Sequence, residues 1–411
     1  MITREWCVER DASDPLGALR DQFILDDSVV YLDGNSLGAL SKPARRRILE
    51  TVDDAWAVGL VRSWNSAGWM DAPLAVGDRL APLIGAGPGE VLIADTITLL
   101  LAKLVGAALE LRPDRHVVLT DAANFHSDLY VIDAMAEHSA RPIEVRRIDR
   151  RELTEHLDED VALVEFTHVD YRTGEMLDLA GITSAVQGAG ALMLWDLAHS
   201  AGAVPVDLAA AGADLAVGCT YKYLNAGPGA PAFCFIRAAL QGQLVNPLPG
   251  WLGHARPFEF ERDYVPAEGV RSFQTSSPSI VSIAALEGSL EVFEMTDVEH
   301  LRAKSLALTS MFMDLVEERL AQHDLEIVTP RDPARRGSQV SLRVDGAYGL
   351  VQALVERGVI GDFRAPDIAR FGFTPLTLRF VDVYDAVELM SRVLADGAHR
   401  EARFERRNPV T

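Results

Sequence analysis

The chain of 411 residues carries 39 Lys and Arg against 60 Asp and Glu, a net charge of −21, which excludes the clustered positive surface that a nucleic-acid partner requires. With 48% hydrophobic residues and no long polar run of low complexity it is a globular chain, too long for one ordinary core and expected to divide into two domains. Cys7, Cys219 and Cys234 show neither CxxC spacing nor a framework count, so a reducing, cytoplasmic setting is expected.

In chain order, the opening MITREWCVERDASD lacks an apolar leader, and the apolar run near 97–109 is interrupted by Lys103. Neither secretion nor a membrane partner is expected. GAGPGE (85–90) lacks the spacing of a dinucleotide loop and reads as a turn. DTITLLLAKLVGAALEL (95–111) predicts a helix with Thr96 and Thr98 at its start. Hydroxyls and free N–H groups there suit a phosphate, and plain N-capping explains one threonine equally well. HVVLT (116–120) predicts a strand, and NFHSDLY (124–130) after it offers Phe125 as a ring to stack on and Asp128 as a polar anchor. DVALVEFTHV (160–169), ALMLWD (191–196), DLAVGCT (214–220) and PAFCFI (231–236) are further apolar runs. Such strands alternating with helices imply a parallel or mixed sheet covered on both faces. From about 297 the pattern changes to a long amphipathic helix, DVEHLRAKSLALTSMFMDLVEERLAQH, which marks a second domain.

In an α/β sheet, ligands collect outside the carboxyl ends of the strands. Asp196 ends one apolar run, His199 follows it, and Tyr221 and Lys222 end the next. The intervening LAHSAGAVPVDLAAAGA is long enough for one crossover, so Asp196 and Lys222 can share an edge of adjacent strands. Pyridoxal phosphate needs such a pair: a lysine for its Schiff base and an acid that keeps its pyridine nitrogen protonated. A lysine crowded by Tyr221 and partly desolvated is the better nucleophile and base. On position alone, a solvated strand-end lysine and an ordinary turn acid remain an open reading.

Five stretches then carry a resemblance. YLDGNSLGAL (31–40), VRSWNSAGW (61–69), WDLAHSAGAVPVDL (195–208), TYKYLNAGPGAPAF (220–233) and GWLGH (250–254) together resemble the kynureninases, pyridoxal 5'-phosphate enzymes of the aspartate aminotransferase-like fold (fold type I). The matches run in order from about residue 30 to beyond 380. The resemblance implies an α/β architecture, with a large cofactor-binding domain (56–296) built on a mostly parallel seven-stranded sheet. It also implies a smaller α+β domain (297–411) and an N-terminal segment (1–55) packing with it.

The implied activity is hydrolysis of L-kynurenine, and more weakly of 3-hydroxy-L-kynurenine, to the corresponding anthranilate and L-alanine. Lys222 matches the Schiff-base lysine and Asp196 the pyridine-nitrogen acid, with Tyr221 a candidate proton donor. His199 matches a residue beside the ring, and Phe125 resembles the stacking ring. His126, Ser127, Asp128 and Thr167 fall at positions that help to hold the cofactor. Ile97, through its backbone, and Thr98 match the phosphate-binding pair. Trp251 and Ser277 match residues that reach the cofactor from the partner subunit of a homodimer, so that the active sites are shared. Arg370 matches the arginine that pairs with the substrate carboxylate, and Trp64, Leu252 and Ser276 belong to the substrate pocket. No metal site is implied.

Two departures stand out: Leu100 and Ala102 replace the usual asparagine and aromatic residue after the phosphate-binding threonine, and Ser276-Ser277 replaces a small residue plus threonine. Another fold-type I enzyme, a cysteine desulfurase or an aminotransferase, would share Asp196 and Lys222. A desulfurase needs a mobile loop cysteine, however, and neither Cys219 nor Cys234 sits in an obvious loop.

Overall fold

The structure is a computed structural model that describes residues 2–404 and 407. Its centre is a seven-stranded sheet of β1 (Val91–Ala94), β2 (Val117–Asp121), β3 (Glu144–Ile148), β4 (Val161–Thr167), β5 (Leu192–Asp196), β6 (Leu215–Cys219) and β7 (Ala232–Ile236), in the order β1-β7-β6-β5-β4-β2-β3. All strands are parallel except β7, which runs against both its neighbours. The apolar runs of the sequence become strands because both faces are covered. Val164, Phe166, Met193 and Trp195 point into one core, while Leu163, Leu192, Leu194 and Val217 point into the other. The second core is closed by α1 (Ile97–Leu111), which buries residues around most of its circumference.

The remaining expectations differ in detail. β1 has only four residues, and β3, an edge strand of sequence EVRRI, is partly exposed; neither has the long apolar signature of the central strands. Residues 197–214, between β5 and β6, cross over through successive turns rather than an α-helix. Even so β5 and β6 are neighbours in register, Asp196 opposite Val217, which brings Asp196 and the Tyr221–Lys222 turn to the same edge.

A separate four-stranded antiparallel sheet lies in the C-terminal part, with strands Leu325–Ile327, Gln339–Val344, Asp362–Arg364 and Ile368–Gly372. It packs with the helices Val298–Arg319, Ala347–Val355 and Phe380–Ala395 around its own core. The N-terminal segment is divided between the two bodies. The helix Arg4–Ala12 packs on Phe380–Ala395, where the Asp11 carboxylate accepts from the N–H groups of Phe380 and Val381 at 2.6 and 3.0 Å. Val30–Tyr31 pairs with Val359–Ile360. The helix Lys42–Glu50 instead lies against Ile280–Phe293, beside Gly288, where a Cβ would come within 2.5 Å of the Pro43 carbonyl oxygen.

Candidate active site

At the carboxyl ends of β4, β5 and β6 the chain encloses a cavity of about 240 Å³. Its floor is Asp196, the last residue of β5, fully buried, with Oδ1 accepting the Ala198 N–H at 2.8 Å and Oδ2 3.5 Å from the Thr167 hydroxyl. Lys222 projects from the turn after β6, and its Nζ lies 3.0 Å from Nε2 of the buried His199. The YLDGNSLGAL stretch braces this turn from below. The Gly38 N–H donates to the Tyr221 carbonyl at 2.8 Å, and a Cβ on Gly38 would come within 2.3 Å of the Lys222 carbonyl oxygen, so only glycine fits.

One wall is formed by the loop from β2 into α2 (His126–Glu137). Phe125, Ser127 and Asp128 face the cavity. The Phe125 ring is packed edge-on by Tyr171 at 5.0 Å. The far end is the first turn of α1, where Thr96, Ile97 and Thr98 line the space. The Thr96 hydroxyl caps the Leu99 N–H at 3.4 Å, which leaves the N–H groups of Ile97 and Thr98 without an intrahelical partner, as at any helix start.

Three carboxyl groups share the dry region beside β5. Burial raises all three pKa values: Asp196 above its ordinary value, Glu165 to about 8, and Asp128, which also feels Asp196 and Glu165, well above its ordinary value. Lys222 opposes the rise at Asp196. Burial, then Lys222, push the His199 pKa well below the imidazole range, so its ring is neutral beside Lys222 Nζ. Burial also raises the Tyr221 phenol, which keeps it protonated.

The cavity fits pyridoxal phosphate on its own terms. The Asp128 Oδ2 and His199 Nδ1 atoms are buried without partners, a cost that a polar ligand would relieve. One end presents hydroxyls and helix N–H groups to an anion, and the other presents a carboxylate to a cationic ring nitrogen. A larger, more open groove of about 750 Å³ near Arg150, Asp178 and Arg335 has no comparable chemistry, because Arg150 is already paired with Asp121, Asp170 and Glu175.

Of the residues singled out from sequence, Ile97, Thr98, Phe125, Ser127, Asp128, Thr167, Asp196, His199, Tyr221 and Lys222 are brought to this cavity. His126 is not. It starts α2 with its side chain exposed, and its ring rests on Phe125 at 4.3 Å, because neighbouring helix positions point about 100° apart. Arg370 lies outside the lining and is buried. Its Nε donates to Asp362 Oδ1 at 2.8 Å, its Nη2 to Asp362 Oδ2 and to Ser36 Oγ, and its Nη1 to the Tyr171 carbonyl at 2.7 Å.

Trp64 packs edge-on against Trp69 at 5.7 Å, and Trp251 is half-exposed beside Phe258 and Phe260. Leu252 is buried near them, while Ser276 and Ser277 are exposed beside Asp95 and Gln274. None of these five lines the cavity of its own chain. Tyr171 and Cys219 line it and were not singled out as cofactor ligands. Their places, just beyond β4 and at the end of β6, are where the strand-end rule directs attention.

All three cysteines are buried and unpaired. Cys219 ends β6 with its Sγ 3.7 Å from the Ala198 carbonyl, and burial raises its pKa. The exposed, mobile thiolate that a desulfurase requires is absent among the described residues.

Solved structures resemble the fold broadly. The cysteine desulfurase CsdA from Escherichia coli superposes with a TM-score of 0.78 at 17% identity, covering 92% of this chain and 98% of its own. Sequence relatives are nearer. The kynureninase of Pseudomonas fluorescens is 47% identical, and that of Burkholderia pseudomallei (strain 1106a) 49%, each over 100% of both chains. Residues 301–390 match the family model described as the kynureninase C-terminal domain. With full-length identity at this level, a fold shared with fold-type I enzymes and no cysteine placed for desulfuration, the chain belongs to the kynureninase family.

Proposed function

We propose that this cavity is the site of a pyridoxal-phosphate-dependent kynureninase, in which water and L-kynurenine give anthranilate and L-alanine. The observation that carries the reading is the placement of Lys222, at 3.0 Å from His199, over the buried Asp196 in a cavity whose far end is a helix N-terminus. Bound there, pyridoxal phosphate supplies a covalent handle for the substrate amine and an electron sink for the substrate Cα.

The protein's own groups do the rest. Asp196 would hold the proton on the ring nitrogen, and Phe125 would offer the ring a stacking surface. Asp128, Ser127 and Thr167 would hold its polar edge. Thr96, Ile97 and Thr98 would receive the phosphate. Lys222, kept beside neutral His199, accepts the Cα proton at Nζ. Tyr221, whose phenol stays protonated, returns a proton to the three-carbon fragment that leaves as alanine. Arg370, held in a fixed plane by Asp362 and Ser36, offers its remaining N–H to the substrate carboxylate.

The functional unit is a homodimer with shared active sites. Two features support this. Trp56, Val58, Leu60, Val61, Trp251, Phe258 and Phe260 are large apolar side chains left exposed on one chain, and neither Trp251 nor Ser277 lines the cavity of its own chain. No helix among the described residues is long and apolar enough to cross a membrane. A cytoplasmic location is the reading that three unpaired cysteines support.

The test is fluorescence of anthranilate released from L-kynurenine by purified protein, with alanine in equal amount. No anthranilate, with alanine formed from cysteine instead, would overturn the assignment. In this reading Trp64 and Leu252, which lie outside the cavity of their own chain, give the substrate pocket an apolar wall, so kcat/KM should favour kynurenine over its 3-hydroxy derivative by at most ~100-fold. A ratio favouring the hydroxylated substrate would place Ser276 and Ser277 in control.

A further inference from the structure

The mechanism above makes no use of Glu165, a carboxyl that is fully buried in the middle of β4, within the apolar run VALVEFT. Two residues before Thr167, it points to the same face of the strand. Its Oε2 accepts from Thr120 Oγ1 at 2.9 Å and from Asn124 Nδ2 at 2.7 Å. With its NH₂ committed to Glu165, the Asn124 amide can turn only one way. Its Oδ1 accepts from the Thr167 hydroxyl at 2.5 Å and from the Phe125 N–H at 2.8 Å. Thr167 Oγ1 in turn lies 3.5 Å from Asp196 Oδ2. One continuous chain of contacts therefore links Glu165 to the stacking wall and to the floor of the cavity.

The charged groups that act on Glu165 are the carboxyls of Asp196, Asp121 and Asp128, while the hydrogen bonds from Thr120 and Asn124 oppose the rise they cause. Burial and then Asp196 push its pKa up to about 8, so at neutral pH it holds a proton and adds no charge beside Asp196. A buried carboxyl in a strand core is costly where an apolar residue would pack. Departures of this kind from local rules concentrate at functional sites.

We propose that Glu165 is a positioning residue for the cofactor: through Asn124 it sets the direction of the Thr167 hydroxyl and the place of Phe125, and so the surface that Asp196 and the aromatic wall present to the pyridine ring. The proposal rests on the pyridoxal phosphate reading of the cavity.

Two conservative variants separate placement from charge. Glu165→Gln keeps the length and an acceptor oxygen and cannot ionise. Glu165→Asp keeps the carboxyl but withdraws it by one methylene from Asn124. Both are prepared without cofactor, checked by circular dichroism for unchanged folding, and titrated with pyridoxal phosphate by visible absorption across pH. Glu165→Gln should bind within about twofold of wild type with the same spectrum, whereas Glu165→Asp should bind about tenfold more weakly, the loss expected for one buried hydrogen bond, with a displaced absorption band. Impaired binding in Glu165→Gln, or wild-type binding and spectrum in Glu165→Asp, would overturn the proposal. Wild-type protein that binds pyridoxal phosphate but releases no anthranilate, with the variants ranked as stated, would overturn the proposed reaction and leave this inference standing.

Discussion

Lys103, the residue that interrupts the apolar run of α1, is one of the most deeply buried charges in the protein, with its side chain 1% exposed. Its three ammonium protons are all committed, to Asp95 Oδ2, to Thr275 Oγ1 and to the Phe273 carbonyl at 2.7 Å. It thereby ties the turn before Thr96, where Asp95 sits at φ +47°, to the segment that carries Ser276 and Ser277. Replacement by Met keeps the volume of the stem, so little cavity is created. What is lost is one partner of a buried ion pair, a change that costs about 3–5 kcal/mol in general. Asp95 is 19% exposed and keeps its bond from Thr275 at 3.0 Å, so water recovers part of that loss and the low end, about 3 kcal/mol, applies. At roughly 2–4 °C per kcal/mol for a domain of this size, Tm of Lys103→Met should fall by about 6–12 °C in a calorimetric scan of the cofactor-free protein. Adding Asp95→Asn, which removes the stranded charge, should recover part of the fall. A Tm within about 2 °C of wild type would refute the reasoning and mean that the ammonium is solvated in solution.

Asp196→Asn should still bind pyridoxal phosphate but exchange the substrate Cα proton at least about 100-fold more slowly, because an amide cannot hold the pyridinium proton; normal exchange by NMR would count against that role. Asp33 faces Asp362, Arg364, Arg370 and Ser36, and burial, then Asp362, push its pKa up to about 7 from an ordinary 3.8. The folded state therefore keeps a proton that the unfolded chain loses between these values, and wild-type stability falls with rising pH across that window only. Asp33→Asn, which does not titrate, should gain in Tm relative to wild type from pH about 4 to about 7 and no further; a constant difference would show that Asp33 is ionised throughout. Chains carrying Lys222→Ala mixed with chains carrying Trp251→Ala should recover activity in hybrid dimers, and confirmed hybrids without any recovery would mean that each site is built from one chain.

Much of the fold was legible because its signals are local. The strands Val117–Asp121, Val161–Thr167, Leu192–Asp196, Leu215–Cys219 and Ala232–Ile236 stand out as apolar runs, since a central strand must be apolar on both faces. The chemistry was legible for a related reason: Asp196 and Lys222 are the polar residues with which such runs end, and strand ends are where a parallel sheet opens. Val91–Ala94 and Glu144–Ile148 were not legible, one too short to show a period and the other an edge whose exposed face admits arginines. Glu165 left a signal, a charge inside an apolar run, but nothing local says whether such a charge meets water, a cation or Asn124.

Sequence by itself determined which residue types stand at the strand ends, and its resemblance to the kynureninases carried the class of cofactor and reaction. Tertiary structure alone decided the environment of each group. Arg370 is held by Ser36 from 334 positions away, and Lys222 by His199 across a crossover that contains no α-helix. Among the buried carboxyls beside β5, Lys222 opposes the rise at Asp196 and Asp128, whereas Thr120 and Asn124 oppose it at Glu165. Desolvation and Coulomb interaction depend on distance in space, and separation along the chain does not encode that distance.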